Sequence, residues 1–282
     1  MKNTIPWPRI LWILFVLAAP GYILYHYFPK VFACPECYLF EDGGDGLKNY
    51  YTLDYYVKHD TGWHFSGMNY PYGENIIYTD NQPLLAMTLG WIHRHVVPMD
   101  HHVIGTLNML MLISIFLAVL CSYKLLRRWS VGHWWSLGAA LCMTFLSPQL
   151  WRLHGHYGLS YVVFLPLLLL LLDMVIRDER RRWLKGLCAA TLIVIMSLTH
   201  MYFLLLSSVI VFSLTLFFWW YNRKNKLLIK GIVPVLLCIL MLPGIFLIGL
   251  RKWTDPVKDR PIEPWGIDDH TISFNTTFFA FF

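Results

Sequence analysis

The feature that most constrains this chain is a series of long apolar runs, most of them roughly 18 to 25 residues, each long enough to cross a bilayer as a helix. In hydrocarbon no water is available to satisfy backbone N–H and C=O groups, so such runs become helices that bond internally. The first extends from about Ile10 to Phe28, between Arg9 and Lys30. Its basic start and Ala18-Ala19 resemble a signal peptide, but the apolar stretch continues through Tyr22, Ile23, Leu24 and Tyr25, which predicts an uncleaved anchor. Further spans are expected near Val103 to Leu125, Trp134 to Leu150 and Ser160 to Ile176. The run from Leu187 to Trp220 is too long for one crossing and carries Ser197-Leu198-Thr199-His200-Met201-Tyr202 near its middle, so it is read as two short helices with His200 at the turn. A last span runs from about Leu227 to Leu250, with Pro234 and Pro243 as kinks. The expected fold class is therefore an all-α integral membrane protein with about seven transmembrane helices. Composition agrees, because 57% of residues are hydrophobic and 14% charged, against about 25% charged in soluble domains.

Lys and Arg near span ends are retained on the cytoplasmic side. Lys2 and Arg9, then Lys124, Arg127 and Arg128, then Arg177, Arg180, Arg181, Arg182 and Lys185, then Arg223, Lys224, Lys226 and Lys230 alternate correctly with that count. The N-terminus is thus expected in the cytoplasm. A long first outer loop, about 29–102, and an outer C-terminal segment, about 251–282, face the other side. The net charge of +6 follows from this bias and gives no reason to invoke nucleic acid.

Within the outer loop lies an acidic, glycine-spaced knot, Glu41-Asp42-Gly43-Gly44-Asp45-Gly46. After it, Leu47, Tyr50, Tyr51 and Tyr55 share one helical face, which predicts an interfacial helix with its aromatic residues turned toward lipid headgroups. Asp45 falls near the start of that helix, where Asp is also a favoured N-cap with no chemistry implied. Further on, His64 to Glu74 and Thr79-Asp80-Asn81-Gln82-Pro83 alternate aromatic residues, turn formers and single polar groups, as a binding wall does and as a compact loop packed on the membrane also does. A second outer cluster, Ser147 to Tyr157, brings Arg152, His154 and His156 to the same face, and His200 is expected to reach it. Ionisable groups at membrane depth are costly and point to function. Snorkelling of Arg152 and backbone bonding by the histidines is the structural alternative.

Seven spans, an inside N-terminus, a first outer loop with an acidic motif and an outer segment after the seventh span resemble the shared module of GT-C membrane glycosyltransferases. Protein O-mannosyltransferases, oligosaccharyltransferases and the aminoarabinose transferase of lipid A belong to that group. Gly44-Asp45-Gly46-Leu47-Lys48-Asn49-Tyr50-Tyr51, Met68 to Glu74 and Gly155-His156-Tyr157 are also similar to segments of bacterial multispan proteins placed there. The resemblance covers nearly the whole chain, 1–282, as a single module, and implies a multi-pass protein of the bacterial inner (plasma) membrane. It implies sugar transfer from a polyprenyl-phosphate donor to a glycan, lipid or protein acceptor at the outer leaflet. Asp45 is the carboxylate carried over as general base, with Asp42 or Glu41 as alternatives. Arg152, His154, His156 and Lys48 are the cations available to the departing phosphate, while His200, Tyr70 and Asp80 complete the expected binding surface. Some members use a divalent metal and others do not; Glu41, Asp42 and Asp45 are the oxygen donors for Mg²⁺ or Mn²⁺, and the metal stays open. Members of the group usually continue past the seventh span, whereas this chain stops at Phe278-Phe279-Ala280-Phe281-Phe282. A truncated or non-catalytic fragment is accordingly an alternative to an active enzyme.

Cys34-Pro35-Glu36-Cys37 opens a different class of function, a membrane thiol-disulfide oxidoreductase. A local structural disulfide at the exit of the first span is the simpler account of the same four residues. Haem ligation by His154, His156 and His200 needs facing histidines at matched depth. A transporter is disfavoured, since no internal repeat is visible and few ionisable groups lie deep in the spans.

Overall fold

A computed structural model of the chain describes residues 7–69, 71, 73–79, 81–221 and 232–242. The described architecture is helical apart from one two-stranded hairpin: α1 (Trp7–Tyr27), α2 (Pro29–Ala33), α3 (Gly44–His59), α4 (Pro83–His95), α5 (Val103–Arg128), α6 (His133–Phe145), α7 (Phe164–Arg177), α8 (Arg182–Thr199) and α9 (Tyr202–Tyr221). Helix α10 covers Ile232–Leu242. Strands β1 (His64–Phe65) and β2 (Glu74–Asn75) pair antiparallel between α3 and α4.

Among the described residues, four segments are long and apolar enough to cross a membrane: Ile10–Tyr27, Val103–Arg128, Tyr157–Arg177 and Arg182–Thr199. Tyr202–Phe217 and Ile232–Leu242 are shorter apolar helices. The segment expected as an anchor is a continuous helix with Pro20 inside it. The expected span from Trp134 to Leu150 is interrupted: α6 ends at Phe145, and Ser147 caps a 3₁₀ helix, Pro148–Leu153, by accepting from the Gln149 N–H. The long run beginning at Leu187 divides at His200, which leaves α8 with an extended backbone before α9 starts at Tyr202. Most of the last expected span and the 251–282 segment lie outside the described residues.

The helix directions follow from contacts at the two ends of the bundle. Trp12 near the start of α1 donates to Tyr123 near the end of α5 at 2.8 Å, while Phe28 just beyond α1 packs on Phe40 ahead of α3. At the Tyr123 end, Asp173 and Asp178 gather the basic residues. The Arg128 guanidinium reaches Asp173 at 2.6 Å and Asp178 at 2.8 Å, Arg177 reaches Asp173 at 2.8 Å, and Lys185 reaches Asp178 at 3.2 Å. Trp129 Nε1 also donates to Asp173 at 2.9 Å. One buried carboxylate therefore joins the ends of α5 and α7, and its neighbour ties in α8.

At the other end the loop elements are fastened to the bundle. Buried Asn81 donates to the Thr52 carbonyl at 3.0 Å, and the Tyr161 hydroxyl donates to Gln82 Oε1 at 2.7 Å. Arg94 donates to the Asp60 carbonyl at 2.9 Å, while the Asp60 carboxylate accepts from the Ser66 N–H and hydroxyl at 2.8 and 2.7 Å. Helix α3 buries Asn49, Tyr50, Leu53, Tyr56 and Val57, each large apolar side chain being worth roughly 1.5–3 kcal/mol on burial. This corrects the face expected from the sequence. Tyr50 is 3% exposed and turned into the protein, whereas Leu47 and Tyr51 on the adjoining stripe are exposed.

Two carboxyls outside the apolar segments make the fold acid-sensitive. Hydrogen bonding from Arg128 holds the Asp178 carboxyl below its usual range, with Lys185 adding to it, and hydrogen bonding from His102 does the same for Glu36. A lowered folded-state pKa gives stability that is present above the ordinary carboxylate range, about 4, and is lost as pH falls through the lowered value. The melting temperature in detergent is expected to stay level from neutral pH to about 5 and to drop below about 4. The drop should be shallower in Asp178→Asn; an unchanged acid limb would remove Asp178 from the account.

Candidate functional site

The acidic knot enters α3 through Gly43, whose extended backbone forms the N-cap without a side-chain bond, and Gly44, with φ +50°. Asp45 therefore sits inside the first turn and is not the cap. A carboxylate is favoured there by the helix dipole, and its side chain remains 56% exposed, free to meet a solute. Its Oδ2 lies 3.9 Å from Nε2 of His156, which comes from the turn after the 3₁₀ helix Pro148–Leu153.

The turn is held against α3 by Asn49. Its amide nitrogen donates to the Asp45 carbonyl and to the Gly155 carbonyl, both at 2.7 Å. Gly155 has φ +130°, and a Cβ there would stand 3.3 Å from Asp45 Cβ. Close approach is equally required at Gly46: a Cβ would clash with Glu41 Cβ, and would lie 2.6 Å from Glu41 Cγ and 2.9 Å from the Tyr157 hydroxyl. Gly46→Ala is expected to cost about 1–3 kcal/mol of stability through overpacking, read as a lowered melting temperature. A melting temperature equal to that of the wild type would mean that Glu41 yields freely.

Tyr157 is wholly buried, with its ring 4.8 Å from Tyr50. The Tyr50 hydroxyl donates to Asn108 Oδ1 of α5 at 2.6 Å and accepts from the Phe40 N–H at 3.2 Å. Burial raises the Tyr50 pKa, which keeps the hydroxyl protonated as that donor. Around this point α3, α5 and the 155–158 turn meet in one polar seam.

The remaining expected residues divide clearly. His200 reaches the turn from the α8–α9 junction: a Cβ on Gly158 would be 3.0 Å from His200 Cδ2, and His200 Nδ1 accepts from the Tyr202 N–H at 3.3 Å. His154 is exposed and packs on Trp151 at 5.8 Å, and Arg152 is exposed beside it. Three histidines thus turn to three different partners, which is not the facing arrangement that haem ligation needs. Glu41 is partly buried against Gly46, Asp42 is exposed, and Lys48 is partly buried. Among the described residues no group of three or more His, Cys, Asp or Glu side chains converges on a metal position. Glu41, Asp42 and Asp45 consequently do not form the gathered carboxylate set expected for Mg²⁺ or Mn²⁺. Tyr70 and Asp80 lie outside the described residues. An apolar crevice between α7, α9 and α10, lined by Leu172, Val175, Val211 and Ile232, belongs to the end of the bundle that carries Asp173 and takes no part in this site.

Sequence reasoning passed over Asn49 and Asn108 as individual actors. Asn49 carried a usable signal, since it stands four residues after Asp45 and so shares its helical face. Asn108 carried none beyond being a polar residue in an apolar run.

A family model, described as a domain of unknown function (DUF6311), matches residues 16–260. No curated protein and no solved structure matches the chain.

Proposed function

The chain belongs to the DUF6311 family, a domain of unknown function, and from the geometry of its site we propose that it is a membrane glycosyltransferase moving a sugar from a polyprenyl-phosphate donor to an acceptor at the outer face of a bacterial inner membrane. In this reading α1 and α5 to α10 account for seven crossings, the end that carries Arg128, Arg177 and Lys185 is cytoplasmic, and the end that carries Asp45 faces outward. The observation that carries the proposal is the exposed Asp45 carboxylate in the first turn of α3, 3.9 Å from His156 and remote from the basic end.

The chemistry asked of these residues is modest. Asp45 accepts the proton of an acceptor hydroxyl as that oxygen bonds to the anomeric carbon, and the carbon–phosphate oxygen bond breaks with its electron pair leaving on the phosphate. His156, when protonated, and Arg152 supply positive charge toward that phosphate. No step is assigned to a metal. The oxidoreductase alternative is the weaker reading, because Pro35 and Glu36, between Cys34 and Cys37, are both engaged by the α5 region.

The proposal is tested by mass-spectrometric profiles of surface glycans and glycolipids in cells with the wild-type chain, with Asp45→Asn, or with neither. A sugar addition that appears with wild type and disappears with Asp45→Asn at equal membrane abundance supports it. Three matching profiles would remove it.

A further inference from the structure

The Cys34–Cys37 disulfide closes a turn a few residues ahead of the acidic knot, and a second connection to α3 runs through two buried hydrogen-bonding side chains, Asn108 and Tyr50. The turn that it closes is pressed onto the start of α5 at three successive positions. His102 Nδ1 lies 3.1 Å from Glu36 Oε1, and a Cβ on Gly105 would be 2.8 Å from Glu36 Cδ. Asn108, with no exposed surface, donates through Nδ2 to the Pro35 carbonyl at 2.8 Å and to the Tyr38 carbonyl at 2.7 Å. Residues 102, 105 and 108 are spaced by three, so the turn rests along one face of the helix.

The same Asn108 then spends its oxygen on Tyr50. Both donors and the acceptor of a single planar, fully buried amide are committed, two to the disulfide turn and one to α3. A planar amide cannot follow one set of partners without moving the other. Tyr50 stands five residues after Asp45 and directly after Asn49, which holds Asp45 and Gly155 together. The position of the first turns of α3 therefore depends on where the Pro35 and Tyr38 carbonyls are held.

We propose that Asn108 and Tyr50 are positioning residues that tie the site end of α3 to the Cys34–Cys37 disulfide, so that reduction of this disulfide by an external dithiol loosens the helix that carries Asp45. A thiolate of the dithiol attacks the sulfur of Cys37, the more exposed of the pair, forming a mixed disulfide and releasing Cys34 as thiolate. The second thiol of the reductant then attacks the mixed disulfide, releases Cys37 and closes the reductant's own ring, so that two electrons and two protons pass to the protein. As a statement about sugar transfer this rests on the reading of Asp45 as the base; as a statement about the helix it does not.

The experiment is hydrogen exchange on the full chain in lipid nanodiscs, as isolated and after dithiothreitol, with thiol state followed by the mass shift on maleimide labelling. Reduction is expected to speed exchange of amides 44–51 about tenfold, on the scale of one lost buried hydrogen bond, and to leave 166–176 unchanged. Tyr50→Phe removes only the linking hydroxyl and should abolish that redox difference. The proposal fails if the reduced protein exchanges at 44–51 as the oxidised one does, if Tyr50→Phe keeps the full difference, or if Cys34 and Cys37 label as free thiols before reductant is added. A redox response in exchange without any sugar addition in cells would leave the coupling standing and remove the transferase reading. Sugar addition without a redox response would do the reverse.

Discussion

Asp45→Asn is expected to lower sugar transfer by about 10²- to 10⁴-fold, the usual contribution of a general base, while leaving the amount of folded protein unchanged. The two halves of this expectation come from the same geometry. Asn has nearly the size of Asp but cannot accept the acceptor's proton, so the chemical step loses its base. The side chain is 56% exposed, and its only ion-pair contact among the described residues, to His156 at 3.9 Å, is long and solvated. Such a pair is worth little to stability. Transfer measured in membranes at equal abundance checks the expectation. A loss that tracks abundance would assign Asp45 to folding instead, and a rate within twofold of wild type would move the base to Asp42 or Glu41.

The opposite profile is expected at the other end of the bundle. Asp173→Ala should destabilise the protein by about 3–5 kcal/mol, as when one partner of a buried ion pair is removed. The Asp173 side chain is 8% exposed and serves Arg128, Arg177 and Trp129 at once. Its removal leaves the Arg128 guanidinium without one partner at a position where α5 and α7 end together, though Asp178 remains at 2.8 Å. Thermal unfolding in detergent, with Asp173→Asn as a milder companion, measures the effect. A shift no larger than that of Lys185→Ala would show that the cluster is a solvated surface network.

Much of the helical architecture was legible because it rests on length and apolarity, which the chain states directly. The division at His200 is an example: an apolar run too long for one crossing, broken by Ser197, Thr199 and His200, must turn somewhere among them. Asp45 and His156 were also within reach, since each is an ionisable residue next to glycine in a polar turn between apolar runs. What could not be read was anything decided by contact between distant segments. Periodicity placed Tyr50 with Leu47 and Tyr51 on a lipid-facing stripe, but the partner that claims its hydroxyl, Asn108, lies 58 residues away. Asp173 was passed over for a related reason: inside the run from Ser160 to Ile176 a single acidic residue looks like noise until the Arg128 side chain is seen against it. The directions of the knot's carboxylates were equally beyond the sequence, because neighbours in sequence need not converge; Glu41 turns back onto Gly46 while Asp45 faces His156.

The bond from Asn49 to the Gly155 carbonyl also has a meaning in time. Its two residues are separated by 106 positions, so at a synthesis rate of about 5–20 residues per second the site helix emerges roughly 5–20 s before the strand of chain that completes it. Throughout that interval Asp45 stands on a surface with no His156 beside it. Completion of this site is accordingly a late event of biogenesis: a ribosome stalled before the 155–158 turn leaves behind an α3 that still lacks the Gly155 carbonyl and the His156 side chain.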